Sequence, residues 1–340
     1  MNEDNKEINQ TPITESTAAS WLPKIDREHA SRWLKLAGLF AAGAAGSLTL
    51  LVGAASFPLS GLLVRPKMKR VAQLKSHRLR EFIKYAGIEY EDVQMPSFDG
   101  TQLHGWWFES GKDAATVIVI HGVRKNRTDV LRAALALHHA GFNALVFDGR
   151  GHGNSEGYYV TYGFNERRDV ESVIDWLANH KAIDKTRIGL VGESMGAAIA
   201  LQVAAANDWI GCVWADSPFA SLRRISHEFI QSATRLPNVV LHPVMWTARQ
   251  WANYRGSFDI EAIEPVALAP QIKCPVYLVH GTGDELIAVR HSQEIYEALT
   301  IEKELWIVDG VRHAKAARHA KHDYRERLLK FFKTKLAKSE

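Results

Sequence analysis

A serine set between two glycines is the first place where this chain could do chemistry. Residues 187–206 read RIGLVGESMGAAIALQVAAA, with Gly192, Ser194 and Gly196 at G-x-S-x-G spacing. A serine hydroxyl is a weak nucleophile and needs a general base beside it, oriented in turn by a carboxylate. Downstream the chain offers both: Asp284 in LVHGTGDELI and His313 in LWIVDGVRH. Brought together, such groups transfer acyl groups. The serine attacks a carbonyl carbon, the imidazole carries the proton, and the carboxylate holds the imidazole tautomer. A glycine-rich turn whose serine caps the next helix would use the same letters. The surrounding elements therefore decide the reading.

Arg187–Val191 is a short β-branched, apolar run that suits a buried strand. Ala197–Ala206 is rich in Ala and Leu and suits a helix. Almost nothing joins them, so the turn must be tight, and the two glycines leave no Cβ to obstruct close strand–helix approach. That geometry is a nucleophile elbow, which lifts a serine hydroxyl above a sheet. Asp284 and His313 each follow an expected strand, and the order Ser, Asp, His matches this kind of site. Strands and helices alternate along the rest of the chain. This pattern implies a mainly parallel sheet covered on both faces. Ligands bind such sheets at the carboxyl ends of their strands. His121, Asp148, Ser194, Asp216, Asp284 and Gly310 all fall there.

Residues 90–335 resemble the α/β-hydrolase superfamily in its serine-hydrolase branch. The resemblance is carried in order by VIVIHG, DGRGHGNSEG, LVGESMGAA, DSPF, CPVYLVHGTGDELI and VDGVRH. It is similar above all to membrane-anchored esterase and peptidase-like hydrolases. The resemblance implies an α/β-hydrolase fold with a mainly parallel sheet and helices on both faces. It implies Ser194 as nucleophile, His313 as base and Asp284 as its partner. The oxyanion donors would be the backbone N–H groups of Val123 and Met195. The reaction expected is metal-independent cleavage of carboxylic esters through an acyl-enzyme, on a small-molecule ester or lipid-like acyl substrate. A peptidase or amidase of the prolyl-oligopeptidase-like type is the alternative enzyme. A non-catalytic, membrane-tethered binding scaffold is the alternative of another class.

Several residues compete for roles. Asp216 also ends a strand near the elbow and is a rival acid, although Asp-Ser-Pro commonly starts a turn. Glu285 is adjacent to Asp284, but a one-residue shift points its side chain elsewhere. His319 and His322 stand among Lys and Arg and read as a solvated face. His121 is expected to shape the oxyanion loop, His152 to sit in a turn, and Asp148 and Arg150 to brace that loop. Glu193 could tune substrate polarity or make a structural hydrogen bond.

The chain has 340 residues and a formal net charge of +4, too small an excess to argue for nucleic acid. Cys212 and Cys274 fit no disulfide framework or metal-ligand spacing and read as buried thiols. Zinc-protease, P-loop and dinucleotide motifs are absent from the sequence, so no metal or cofactor is expected. Residues 1–35 read as a polar tail, 36–64 as a transmembrane anchor, and 65–340 as the hydrolase domain. Leu36–Val64 holds no charged residue, and Leu36–Phe57 would span about 33 Å as a helix, close to the thickness of a bilayer core. A secretory signal peptide is the rival, but its apolar region is shorter and nearer the N-terminus than a run that follows a 35-residue tail; a buried core helix is the other alternative, weakened by glycines 38, 43, 46, 53 and 61. Eight Lys and Arg from Arg65 to Lys84 exceed the four from Lys24 to Lys35. A single-pass protein with a cytoplasmic catalytic domain is thus expected. Segment 219–263 carries Phe229, Met245, Trp246, Trp251 and Tyr254. It is either helical core or a small cap walling the acyl pocket.

Overall fold

The computed structural model describes residue 35 and residues 51–66 and 87–337. Two compact units divide the chain, Met1–Val52 and Gly53–Glu340. The expected polar tail, most of the expected anchor and the basic stretch 67–86 lie outside the described residues.

The second unit is built on eight strands: β1 (Glu91–Pro96), β2 (Gln102–Phe108), β3 (Thr116–Ile120), β4 (Asn143–Phe147), β5 (Ile188–Glu193), β6 (Ile210–Asp216), β7 (Val276–Gly281) and β8 (Lys303–Val308). They form one sheet in the order β1-β2-β4-β3-β5-β6-β7-β8. β1 pairs antiparallel with β2, and β2 with β4. Every other pairing is parallel. Burial follows position. β3 and β4 are buried at every residue, as strands covered on both faces must be, whereas the edge strands β1 and β8 are half exposed.

The helices are α1 (Arg127–His139), α2 (Phe164–Lys181), α3 (Met195–Ala206), α4 (Leu222–Thr234), α5 (Asn238–Gly256), α6 (Pro265–Leu268), α7 (Arg290–Ala298), α8 (Ala316–His319) and α9 (Lys321–Lys335). One apolar cluster joins α2 and α3 to one sheet face, through Val173, Ile174, Ile199 and Leu201. Another joins α1 and α9 to the opposite face, through Leu131, Leu137, Leu328 and Phe332. α3 is buried at ten of its twelve residues, so its alanines are what allow it to lie against the sheet. Cys212 and Cys274 are buried free thiols.

Residues 53–64, the last part of the expected anchor, are helical and lie on this unit. Val64 is fully buried, and its carbonyl accepts from Val160 N–H at 2.9 Å. Ser56 Oγ donates to Val244 O at 3.0 Å, and Phe57 meets Trp251 edge-on. Among the described residues no helix is long and apolar enough to cross a membrane. A charge-free apolar run does not distinguish lipid from protein as its surroundings, and these last turns have protein on one side.

Segment 219–263 is largely the α4–α5 helical pair. Met245, Ala248 and Ala252 are buried, while Trp246, Trp251 and Tyr254 face outward.

Candidate active site

β5 delivers Ser194 to the top of the sheet. Ser194 has φ 56° and ψ −116°, a left-handed backbone that non-glycine residues seldom adopt, and α3 starts at the next residue. The flanking glycines are required by contact. A Cβ at Gly192 would lie 2.3 Å from Gly196 O, and one at Gly196 would lie 2.2 Å from Ile120 O. Ser194 N–H donates to Asp216 O at 2.8 Å, which ties the turn to the end of β6.

His313, on the loop after β8, reaches back across the sheet. Its Nε2 is 2.9 Å from Ser194 Oγ, and its Nδ1 is 2.7 Å from Asp284 Oδ2. The carboxylate can only accept from Nδ1–H, so Nε2 is left as the acceptor that faces the serine hydroxyl. Asp284 is completed by the backbone: its Oδ1 accepts from Leu286 N–H at 3.0 Å and Ile287 N–H at 2.9 Å. Burial alone would raise this carboxyl. Hydrogen bonds from His280 and His313, the charge of His313 and the Ile287 amide together hold it well below the usual carboxylate range. It is thus a fixed negative charge behind the imidazole.

The structure brings Ser194, His313 and Asp284 into one hydrogen-bonded line and leaves their rivals outside it. Asp216 is buried, but its Oδ1 accepts from Ser217 Oγ, and it makes no hydrogen bond to His313. Glu285, His319 and His322 are exposed. His121 donates from Nδ1 to Gly122 O at 2.8 Å, and its Nε2 accepts from Gly149 N–H at 2.9 Å. His152 links Arg150 O to Arg124 N–H in the same manner. Burial pushes His121 down to about 4 and His152 to about 3, so both are neutral braces of the loop that carries Val123. Asp148 accepts from Arg127 and Asn154 N–H, and Arg150 pairs with Asp169 and Asp99.

Val123 and Met195 flank the serine from the loop after β3 and from the first turn of α3. Gly122 packs on the elbow: a Cβ there would lie 3.2 Å from Ser194 Cβ. Neither the Val123 nor the Met195 N–H has a backbone acceptor among the described residues. A backbone N–H beside a serine that no backbone carbonyl takes up can stabilise an oxyanion.

Sequence reasoning missed His280, the next-to-last residue of β7. It is fully buried, with Nδ1 2.7 Å from Ser292 Oγ. Its Nε2 lies 2.8 Å from Ile287 O and 3.2 Å from Asp284 Oδ2. Both are acceptors, so Nε2 carries hydrogen, which it donates to Ile287 O and shares with the Asp284 oxygen that His313 also uses. A histidine in an apolar strand, four residues before the acid, is the signal that could have found it.

A groove of about 1070 Å³ opens over Ser194. Its walls are α1 and the stretch from His313 through α9, and none of its lining comes from segment 219–263. The expectation of an acyl pocket walled by that segment is therefore not met in this groove. α4 and α5 instead give their inward residues to a cluster with Val64, Ala198 and Ile287. Glu193 lies on the groove floor. Burial, then the negative Asp216 and Asp129, push its carboxyl up to about 8, against Lys125 and Lys315. Among the described residues no group of His, Cys, Asp and Glu could hold a metal ion.

Comparison with known proteins agrees with this geometry. Residues 129–339 match the prolyl oligopeptidase family. YqkD of Bacillus subtilis is 31% identical over 252 residues, 74% of this chain and 81% of that protein. The esterase Pf2001 of Pyrococcus furiosus superposes with TM-score 0.62 and 28% identity, covering 75% of this chain and 96% of the esterase. The acylaminoacyl peptidase of Pyrococcus horikoshii shares the fold, with TM-score 0.57 and 18% identity over 74% of this chain and 42% of the peptidase. The chain belongs to the prolyl oligopeptidase family and is a serine hydrolase of the α/β-hydrolase superfamily.

Proposed function

We propose that the protein hydrolyses carboxylic esters through an acyl-enzyme on Ser194. The observation that carries this reading is the line Asp284–His313–Ser194, with spacings of 2.7 and 2.9 Å. Ser194 Oγ attacks the ester carbonyl while His313 Nε2 takes its proton. The oxyanion of the tetrahedral intermediate is held by the N–H groups of Val123 and Met195, each worth roughly 2.7–4 kcal/mol in the transition state. Collapse expels the alcohol, which is protonated by His313. Water then enters with His313 as base and releases the acid. Asp284 stays ionised throughout and holds the imidazole.

Ester over peptide is supported by likeness to the Pyrococcus furiosus esterase, almost the whole of which is covered. An open groove that needs no cap residue also suits a small or extended ester. A fluorophosphonate probe should label the wild type and not Ser194→Ala. Steady-state rates on matched esters and aminoacyl amides then rank the two substrates. A well-folded wild type that resists the probe would remove the covalent mechanism and favour a binding scaffold. Amides turned over faster than matched esters would make the protein a peptidase or amidase.

We infer also that the protein works at a membrane, with its catalytic unit on the cytoplasmic side. The charge-free run 36–64 and the basic residues that follow it support this. So do the exposed Phe57, Leu62, Val239, Trp246 and Tyr254 on residues 53–64 and α5. Carbonate washing of membranes, followed by protease treatment of intact cells, tests it. Release by carbonate, or digestion of the catalytic unit from outside, would overturn the anchor or the orientation respectively.

A further inference from the structure

The groove over Ser194 has apolar stretches of wall and a strongly basic rim. Val123, Leu135, Ala136, Leu286 and Ala317 are the apolar lining residues that keep exposed surface in it. Around them stand Arg124, Lys125, Lys315, Arg318 and Lys321, with Arg132 and Arg325 further along. The only acidic residues in the lining are Asp129 and Glu193.

The two acids offset little of the rim, Asp129 answering Lys125 alone. Asp129 is already engaged, 3.3 Å from Lys125 Nζ and accepting from Asn126 N–H at the start of α1. Glu193, pushed up to about 8, is mostly protonated near neutral pH. Among the described residues, Arg124, Lys315, Arg318 and Lys321 make no ion pair, whereas Lys185, Arg223, Arg224, Arg290 and Lys335 elsewhere on the surface each have a carboxylate. The cations also feel one another. Lys315 is pushed below its ordinary value by burial, then by Arg318 and Lys125. A chain with a net charge of only +4 thus places seven cationic side chains along one groove. Like charges gathered mostly without partners cost stability and favour an anionic ligand.

We propose that the substrates are amphiphilic esters bearing a negative group, a carboxylate or a phosphate, which Lys315, Arg318 and Lys321 recognise while the hydrocarbon lies against Val123, Leu135, Leu286 and Ala317. The proposal rests on ester hydrolysis at Ser194 and adds the charge class of the substrate. Arg318 and Lys321 determine specificity and take no part in the chemistry, being exposed residues of α8 and α9. Arginine and lysine at a groove mouth can hold either anion, the planar guanidinium in bidentate fashion.

The test uses the full-length protein and three soluble esters of equal chain length, without lipid. They are p-nitrophenyl hexanoate, mono-p-nitrophenyl adipate and p-nitrophenyl 6-phosphonohexanoate. At low salt, kcat/KM for at least one anionic ester should exceed that for the neutral ester by about tenfold. The better of the two anionic esters identifies the group. Added NaCl should erode the preference, and Arg318→Glu/Lys321→Glu should abolish it while leaving the neutral ester unchanged. If the charge reversal impairs folding, Arg318→Gln/Lys321→Gln and the salt titration of the wild type read the same effect. Equal or slower turnover of both anionic esters beside a well-hydrolysed neutral one would overturn the proposal and spare the ester reading. It would leave the basic rim as a docking surface for anionic lipid. No turnover of any of the three, with Ser194 still labelled by fluorophosphonate, would overturn the ester reading itself and the proposal with it.

Discussion

His280 Nε2 lies 3.2 Å from the Asp284 oxygen that His313 Nδ1 approaches at 2.7 Å. One carboxylate oxygen therefore serves two imidazoles, one catalytic in our reading and one buried beneath it. Two backbone amides, of Leu286 and Ile287, hold the other oxygen. A carboxylate held in this way cannot rotate, and the direction of its negative charge is fixed by β7 and the loop after it.

His280→Gln should consequently lower kcat by about tenfold with little change in KM, since an amide can replace one hydrogen bond but not both ring contacts. The measurement is steady-state kinetics on a p-nitrophenyl ester, paired with a thermal melt. A change in melting temperature with kcat intact would show that His280 is only a packing residue.

Asp284→Asn should cost about 10⁴ in kcat, because the amide can favour the wrong imidazole tautomer. Asp216→Asn should cost far less. Asp216 binds Ser217, and its carbonyl anchors Ser194 N–H, a backbone contact that the substitution preserves. The two variants side by side decide the acid. Inactivation by Asp216→Asn with Asp284→Asn active would reverse the assignment.

The pH dependence of stability has a worked sign. Burial pushes Glu193 up from an ordinary 4.5 to about 8, and Asp216 from 3.8 to about 6. The native state holds protons that the unfolded chain releases. Stability from these groups is therefore complete below the ordinary values and is lost as pH rises through about 6 and then about 8. Asp284 acts in the opposite sense: its carboxyl is depressed, so its contribution is present above 3.8 and is lost in acid. Urea midpoints should fall between pH 5 and pH 9, and Glu193→Gln should remove the upper part of that decline. A flat profile in the wild type would show that Glu193 is ionised in the native groove at neutral pH.

The sheet and the elbow were legible in the sequence for a physical reason. Fully buried parallel strands such as Thr116–Ile120 must be apolar throughout, and glycine is demanded wherever backbones touch, as at Gly192 and Gly196. Asp284 and His313 were legible because each follows a strand, the buried β7 and the edge strand β8. His280 was not, since inside LVHG it reads as one polar letter in a strand, and only the fold sets its ring against Asp284. Segment 219–263 stayed open between core and cap because aromatic content does not say which way a helix faces. Met245 turns inward and Trp246 outward one residue later. Ser56 and Val64 show the same limit within a charge-free run, because hydropathy does not reveal that protein covers one of their sides.

Gly196→Ala separates close packing from backbone strain. A Cβ there would meet backbone atoms: Ile120 O at 2.2 Å, Ile120 C at 2.7 Å and His121 O at 2.8 Å. No side chain can turn aside to relieve these contacts, so α3 must move away from the end of β3 or the elbow must open. The loss of stability should be about 3 kcal/mol, with a fall in kcat, because the displaced Ile120–His121 backbone leads directly to Val123. Gly100→Ala is the matched control. Gly100 has φ +84° but open space around its Cβ position, in the turn between β1 and β2. Strain alone should cost about 1–2 kcal/mol there and leave kcat intact. Urea unfolding and kinetics on the two variants read both quantities. Equal kcat in the two would mean that the β3–α3 contact sets the fold and does not position the oxyanion loop.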